Sequence, residues 1–223
     1  AGGRGVLMGG VPGAPGADVV VLGAGVSGQN AIAIAAGMQA QVTVLDIDVD
    51  KLRAIDDRYA GRVRTEYSTT LSVRRAVEQA DLVIGAVLVP GAKAPTLVSN
   101  DLVAAMRPGA VLVDIAIDQG GCFADSRPTT HADPTYRVHD TVFYCVANMP
   151  GAVPHTSTRA LTNATLPYVL RLADQGWQPA LAADPALAHG LSTHRGELYS
   201  AEVAQAHDLP PVSYTHLRAH ETL

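Results

Sequence analysis

The chain has 223 residues, of which 48% are hydrophobic and 17% charged, and its formal net charge is −5. This length and composition predict a globular protein with one large or two modest domains, and they exclude a largely disordered chain. The acidic balance argues against a nucleic-acid-binding surface. No run approaches the roughly 18 consecutive apolar residues that a membrane-spanning helix needs.

Two cysteines, Cys122 and Cys145, are too few for a disulfide framework. No CxxC pair or Cys/His cluster indicates zinc, so no metal site is predicted. Because no base with a family-like spacing accompanies either cysteine, we interpret both as core or loop thiols rather than nucleophiles. A reducing, cytoplasmic location is expected. No signal peptide is visible, and because the chain starts at Ala1 without a methionine, we expect the natural N-terminus to lie upstream.

Short apolar runs alternate with helical patterns through the first two-thirds of the chain. Apolar strands are typical of a sheet covered on both faces, and the βα alternation predicts a parallel, doubly wound sheet of the α/β class. The predicted strands are Asp18–Gly23, Val42–Asp46, Arg62–Thr65, Leu82–Val87, Ala110–Ile115 and Thr141–Val146. The predicted helices between them are Val26–Met38, Asp50–Tyr59, Thr70–Gln79 and Asn100–Met106.

The later part of the chain departs from this alternation. Gly120–Asp140 contains two prolines and scattered polar residues, which predict a long ordered loop. Beyond Pro154 the pattern is helical, with a run over Ala160–Gln175 that Pro167 can kink. A domain or hinge boundary is therefore expected near Gly151–Pro154.

The last segment, VSYTHLRAHET over Val212–Thr222, matches one reading frame of a common sequencing-library adaptor. We expect residues 212–223 to be an artefact and assign them no function. A genuine polar tail is the alternative.

The stretch GAGVSG places Gly23, Gly25 and Gly28 in the pattern G-x-G-x-x-G. The pattern alone is weak in a chain with 21 glycines, but here it follows a predicted strand and opens a predicted helix. Gly23 would allow a tight turn, Gly25 would let a pyrophosphate approach the backbone, and Gly28 would let helix and strand pack closely. The free N–H groups of the helix N-terminus would bind the phosphates.

Asp46 ends the next predicted strand, at the distance where an acid binds the adenosine ribose in this type of fold. A carboxylate there would repel a 2′-phosphate, which favours NAD over NADP. The alternative interpretation is a tight βα turn with a solvated acid.

Ligands of open α/β sheets lie outside the carboxyl ends of the strands. The strand that ends at Ile115 should bring Ile115, Ala116, Ile117 and Asp118 to that edge. The loops after Val87 and Val146 should arrive there too.

Two polar side chains are candidates at this edge. Asp118 is a candidate neighbour of a nicotinamide, with a helix or turn cap as the alternative. Asn148 can orient an amide or a substrate, with a turn former as the alternative. Asp114 lies inside the predicted strand, and we interpret it as structural.

The chain resembles the alanine dehydrogenase and transhydrogenase alpha-subunit family. The shared stretches cover most of Gly2–Gly176, while Trp177–Pro211 matches more loosely, and Ser27 departs from the alanine of many relatives. These stretches are VVVLGAGVSGQNAIAIAAGMQAQVTVLD, DLVIGAVLVPGAKAP, LVDIAIDQGGCF, SRPTTHADPTY and YCVANMPGAVPHTSTRALTNATLPY. The last of them looks like alanine dehydrogenases rather than transhydrogenases.

The resemblance implies NAD-dependent oxidative deamination of L-alanine to pyruvate and ammonia, and the reverse amination. It also implies a two-domain subunit that commonly assembles into a hexamer. Residues 1–154 would be the Rossmann-like NAD-binding domain, and residues 155–211 a helical C-terminal piece of the substrate domain. The family's N-terminal piece, with its substrate-binding basic residues and catalytic histidine, would be absent from this sequence.

Carried over residue by residue, the resemblance implies a catalytic role for Asp118 and a ribose contact for Asp46. It implies that Lys51 and Ser68 lie at the adenosine side and that Val87 and Leu88 present their backbone to the cofactor. The implied nicotinamide end consists of Ile115, Ala116, Ile117, Asp118, Val146, Ala147, Asn148 and Met149, with Arg127 as a further contact.

Two other hypotheses stay open on the sequence. The chain could be the NAD-binding part of a proton-translocating transhydrogenase, which predicts membrane helices downstream. It could also be a non-catalytic NAD-binding module, since fold alone does not decide function. Neither nucleic acid nor membrane is an expected partner of this chain itself, and a homo-oligomer is expected.

Overall fold

A computed structural model describes residues 2–87 and 94–212 of the chain. These residues divide into two compact units, one of residues 2–87 and 94–149 and the other of residues 150–212. Leu88 and residues 213–223 of the predicted adaptor tail lie outside the described residues.

The first unit is a seven-stranded sheet with the strand order β3-β2-β1-β4-β5-β7-β6. Every pairing is parallel except that of β6 with β7, which is antiparallel. The strands are β1 (Asp18–Leu22), β2 (Gln41–Asp46), β3 (Val63–Tyr67), β4 (Leu82–Gly85), β5 (Val111–Asp114), β6 (Thr135–Val138) and β7 (Thr141–Tyr144). The helices are α1 (Val26–Gly37), α2 (Val49–Tyr59), α3 (Thr70–Gln79) and α4 (Asn100–Ala104).

The sheet is covered on both faces, which explains why its central strands are apolar throughout. On β1, Val20 and Leu22 belong to a cluster that includes α3 and α4. Val19 and Val21 point the other way, into a cluster with α1 and α2. This alternation is the two-residue period of a strand buried on both sides. The predicted α/β class and doubly wound sheet are confirmed.

One sequence prediction was wrong: Gly120–Asp140 is not a loop throughout, because β6 lies within it. This strand is at the sheet edge, and its four residues alternate between exposed and half-buried. A strand at the sheet edge is covered less than a central strand, so it needs no run of apolar residues. In addition, β6 directly follows Pro134, and a proline usually indicates a loop. The sheet is therefore mixed at one edge, as is common in large doubly wound sheets.

The second unit is mainly helical. Its elements are α5 (Pro154–Gln175), α6 (Trp177–Ala183), α7 (Pro185–His189), the short hairpin strands β8 (Thr193–His194) and β9 (Glu197–Leu198), and α8 (Ala201–Ala206). Helix α5 begins earlier than predicted because Pro154 occupies its first turn, where a missing N–H costs nothing. Across residues 2–87 and 94–212, no helix combines the length and the apolar character needed to cross a membrane.

Candidate functional site

The glycine-rich turn between β1 and α1 is closed by backbone contacts that only glycine allows. Gly23 has a φ of 104°, and a Cβ there would lie 2.7 Å from the carbonyl oxygen of Ala86. A Cβ on Gly28 would collide with the carbonyl oxygen of Gly23. The start of α1 therefore packs directly on the end of β1.

Gly25 differs from the other two glycines because its Cβ would meet no atom within 4 Å. It is the N-cap of α1, and no side chain caps the helix there. The start of α1 therefore has open space beside Gly25, and no side chain caps its first-turn N–H groups. This geometry fits a pyrophosphate, which binds at such helix N-termini.

Asp46 ties the glycine turn to the end of β2. Its Oδ2 accepts a hydrogen bond of 2.6 Å from the N–H of Ala24, and its Oδ1 accepts one of 2.8 Å from the N–H of Asp48. The carbonyl oxygen of Asp46 also accepts a hydrogen bond of 3.0 Å from the N–H of Ser68. The structure thus brings together three predicted parts of the site. They are the glycine turn predicted for the pyrophosphate, Asp46 predicted for the ribose, and Ser68, which the resemblance placed at the adenosine side.

Lys51 lies in the first turn of α2, shortly after Asp46 at the end of β2. Its ammonium is 3.3 Å from the carboxylate of Asp48, the N-cap of this helix, and both side chains are exposed. The backbone N–H of Lys51 and then its side chain lower the pKa of Asp48. Lys51 is therefore held near the same edge of the sheet.

Val87 follows β4 next to the glycine turn. The N–H of Ala86 donates to the carbonyl oxygen of Leu22 at 2.8 Å, and the backbone nitrogen of Val87 would lie 3.1 Å from a Cβ on Gly23. The strand order puts β1 and β4 side by side, which is the topological switch point of the sheet.

Asp118 lies beyond β5, in a single 3₁₀ turn over Ile117–Gln119. Ile115 is half-buried, Ala116 and Ile117 are buried, and Asp118 is exposed. The side chain of Asp118 has no hydrogen bond or ion pair with any described residue. The N–H of Ile115 donates to the carbonyl oxygen of Gly85 at 2.9 Å, which continues the pairing of β5 with β4. Asp118 follows this pair and therefore lies at the carboxyl edge of the sheet, as expected.

Asp114 is fully buried at the end of β5. Its carboxylate accepts hydrogen bonds from the N–H of Ala116 at 3.0 Å, the N–H of Cys122 at 2.8 Å and the Oγ–H of Ser126 at 2.5 Å. These contacts link the strand to the segment that carries Asp118. The sequence indicated a structural acid here, but the partner Ser126 could not be found from spacing.

The segment after β7 is held by the loop that precedes β6. The N–H of Ala147 donates to the carbonyl oxygen of Thr129 at 3.1 Å, next to the buried Val146. Asn148 has a φ of 58°, and its carbonyl oxygen lies 3.1 Å from Nε2 of His131. Ala147 and Asn148 are exposed, whereas Met149 is half-buried. Sequence reasoning missed His131, since nothing in its spacing from Asn148 indicates the contact.

Arg127 is held by Tyr136 of β6. Its guanidinium carbon lies 4.0 Å from the centre of the Tyr136 ring, a cation–π contact. Its backbone N–H donates to the Tyr136 hydroxyl at 2.9 Å, and that hydroxyl donates to the carbonyl oxygen of Asp125 at 2.8 Å. Arg127 is exposed, so its guanidinium is anchored without being buried.

Both cysteines are buried and unpaired in the first unit. Burial raises the pKa of Cys122, and the charge of Asp114 adds to this effect. Burial likewise raises the pKa of Cys145. Both thiols therefore lie in the core, as the sequence indicated, and a raised pKa makes a thiol a poorer nucleophile.

A doubly wound sheet with this glycine turn after its first strand and an acid at the end of its second defines the Rossmann-like class of domains. The profile of the family "Alanine dehydrogenase/PNT, C-terminal domain" matches residues 1–201. The chain belongs to this family, as the sequence resemblance implied.

Individual relatives agree with the family. The chain is 68% identical over 209 residues to the alanine dehydrogenase of Mycolicibacterium smegmatis, an alignment that covers 94% of this chain and 56% of the relative. A solved L-alanine dehydrogenase matches with a TM-score of 0.85 and 51% identity, covering 93% of this chain and 57% of that one. A transhydrogenase from Sinorhizobium meliloti matches with a TM-score of 0.57 and 26% identity, covering 68% and 43%. The chain thus spans just over half the length of the alanine dehydrogenases it matches.

Proposed function

We propose that this chain is the cofactor-binding part of an NAD-dependent alanine dehydrogenase. The observation that carries the proposal is the 68% identity to an alanine dehydrogenase over 94% of this chain. The geometry of the sheet edge supports it, since the glycine turn and Asp46 form a site that fits a dinucleotide. The transhydrogenase hypothesis receives less support, because the solved transhydrogenase matches at only 26% identity.

The adenosine half of the cofactor would lie over the glycine turn. The open space at Gly25 and the uncapped N-terminus of α1 would hold the pyrophosphate. Asp46 would accept hydrogen bonds from the ribose hydroxyls, and its charge would disfavour the 2′-phosphate of NADP. Lys51 and Ser68 would flank the adenosine, and the backbone of Val87 and Leu88 would contact the cofactor further along.

The nicotinamide half would lie against the segments that follow β5 and β7. Its contacts would be Ile115, Ala116, Ile117, Asp118, Val146, Ala147, Asn148 and Met149, with Arg127 at the rim. When bound, NAD accepts the hydride that leaves the α-carbon of alanine. In the overall reaction L-alanine, NAD⁺ and water give pyruvate, ammonium, NADH and a proton.

Asp118 would be the catalytic carboxylate contributed by this chain. Its side chain is exposed and has no partner among the described residues, so its charge is available to a group that binds beside it. There it would stabilise an imidazolium or order the water that adds to the imine carbon. General acid–base help of this kind contributes roughly 10²–10⁴-fold in rate.

The complete enzyme would include a further N-terminal part that supplies the basic substrate-binding residues and the catalytic histidine. Residues 155–211 would complete the substrate domain together with that part, after a cofactor domain of residues 1–154. Helix α5 supports this arrangement, since it has no buried residue and leaves Leu161, Val169 and Leu170 exposed. The enzyme would be a cytoplasmic homo-oligomer, a hexamer by resemblance to the family.

The proposal is tested by assaying the intact enzyme with L-alanine and NAD, following NADH by absorbance and measuring pyruvate and ammonia separately. We expect equal amounts of all three products. The 223-residue chain assayed alone is the matched control and should bind NADH without turnover. An intact enzyme that binds NADH yet produces none from L-alanine would instead indicate a non-catalytic binding module.

A further inference from the structure

We infer that Asp114 is a positioning residue, whose carboxylate fixes the segment that carries Asp118 at the nicotinamide edge. The inference rests on the proposed function for the role of Asp118. The hydrogen-bond arrangement on which it depends is independent of that function.

The carboxylate of Asp114 binds the chain on both sides of Asp118. The N–H of Ala116 precedes Asp118, and the N–H of Cys122 and the hydroxyl of Ser126 follow it. One side chain therefore joins three points of the segment from residue 116 to residue 126. Asp118 is at the exposed bend between them and has no side-chain partner among the described residues, so its place depends on how its backbone is held.

The burial of Asp114 argues that these hydrogen bonds are essential. The residue is 0% exposed, and no cation among the described residues pairs with it. A buried carboxylate without a counter-ion is costly unless its oxygens accept hydrogen bonds. Among the described residues, every hydrogen bond to its carboxylate oxygens comes from the segment itself, so the carboxylate and the segment must be ordered together.

Two glycines let the segment pack closely against the carboxylate and against β4. Gly121 has a φ of 76°, and a Cβ there would lie 2.7 Å from Oδ2 of Asp114 and 2.7 Å from Cβ of Ser126. A Cβ on Gly85 would collide with Sγ of Cys122, which itself lies 3.5 Å from Asp114. The segment is thus packed tightly against the carboxylate and against β4.

Replacing Asp114 by Asn exchanges one acceptor oxygen for an NH₂ donor. In either orientation that donor would face a backbone N–H, that of Ala116 or that of Cys122, and two donors cannot pair. The segment must shift to relieve this conflict. A displacement of about 1 Å at a reacting group can cost roughly 10²-fold in rate, so the shift should be visible as a loss of turnover.

The kinetic test is a double-mutant cycle in the intact enzyme with Asp114→Asn, Asp118→Asn and both together. We expect Asp114→Asn to lower kcat by about 10²-fold while KM for NAD changes only a few-fold. If Asp114 acts through Asp118, adding Asp114→Asn to Asp118→Asn should lower kcat by less than about 3-fold further. Multiplicative losses, or an Asp114→Asn enzyme with unchanged kcat, would overturn the inference.

Ser126→Ala is the milder second variant, which removes one hydrogen bond and keeps the charge. It should lower kcat by about 3–10-fold and show the same non-additivity with Asp118→Asn. If Asp114→Asn does not fold, this variant decides the matter, and an unchanged kcat would contradict the positioning role.

A second measurement needs no activity. Hydrogen–deuterium exchange on the 223-residue chain should show faster exchange across residues 115–126 in Asp114→Asn and Ser126→Ala, and no change there in Asp118→Asn. Residues 23–28 of the glycine turn serve as the internal control.

Faster exchange in an enzyme that does not oxidise L-alanine would refute the proposed function and leave the hydrogen-bond arrangement intact. Unchanged exchange in an active enzyme would refute the inference alone.

Discussion

The carboxylate of Asp46 accepts a 2.6 Å hydrogen bond from the backbone N–H of Ala24, in the middle of the glycine turn. The residue expected to bind the ribose therefore also fixes the backbone expected to bind the pyrophosphate. A change at Asp46 should affect the turn even when no cofactor is present.

The first prediction is that Asp46→Ala destabilises the chain without cofactor. The N–H groups of Ala24 and Asp48 lose their acceptor, which typically costs about 1–3 kcal/mol. Urea unfolding of the 223-residue chain measures this change. Asp57→Ala, at an exposed position on α2, is the control and should change stability by less than about 0.5 kcal/mol. Equal stability of the two variants would show that the Asp46 contacts do not stabilise the turn.

The second prediction separates two glycines of the same motif. Gly25→Ala should leave the melting temperature nearly unchanged, because Gly25 has a φ of −70° and a Cβ there meets open space. The same change should weaken NADH binding at least about tenfold, because the added methyl group would obstruct the pyrophosphate. Gly28→Ala should lower the melting temperature, because its Cβ collides with the carbonyl oxygen of Gly23. Thermal unfolding and NADH titration of both variants test this, and a Gly25→Ala chain with wild-type affinity would contradict the placement of the pyrophosphate.

The third prediction concerns the two thiols. Burial raises the pKa of Cys122 and of Cys145, which lowers the thiolate fraction of each, and both side chains are inaccessible to solvent. Iodoacetamide should therefore modify neither in the native chain and both in denaturant. Mass spectrometry of the alkylated protein gives the count, and rapid native labelling of either cysteine would contradict its place in the core.

The fourth prediction is a pH dependence from the N-cap of α2. The N–H and ammonium of Lys51 hold the pKa of Asp48 below its ordinary value of 3.8. A lowered folded-state pKa means that the stabilisation is complete above the unfolded-state value and is lost as the pH falls through the folded-state value. The stability advantage of the wild type over Asp48→Asn should therefore be constant above about pH 5 and shrink as the pH falls below it, because neutral Asp and Asn cap alike. Melting temperatures of both chains above and below that pH test it, and a difference that stays constant at low pH would contradict the charge effect.

Much of the fold was predictable because its signals are local. The helix at Thr70–Gln79 was predicted with the bounds it has, and the capping box that Thr69 and Ser72 form at its start is a local contact. The glycine turn and Asp46 were predictable for the same reason, because both lie within one βαβ unit.

The remaining features depend on contacts that no local pattern contains. Strand β6 forms because it pairs with β7 at the sheet edge. Its residues alternate only between exposed and half-buried, which is too weak a pattern to predict a strand from the sequence. Ser126 meets Asp114, and His131 meets Asn148, only after the loop has folded back over the sheet. Only one signal of these contacts is present in the sequence: Asp114 lies in an apolar strand, and a buried carboxylate needs hydrogen-bond donors.

The most direct test of the central claim is calorimetric titration of the 223-residue chain with NADH and with NADPH. The carboxylate of Asp46 beside the glycine turn, which has no cation as a partner among the described residues, predicts clear binding of NADH and much weaker binding of NADPH. Asp46→Ala should weaken NADH binding by about 1.5–3 kcal/mol, the usual value of a hydrogen bond to a charged group, and narrow the difference between the two cofactors. Equal or tighter binding of NADPH by the wild-type chain would contradict the assignment of this edge as an NAD site.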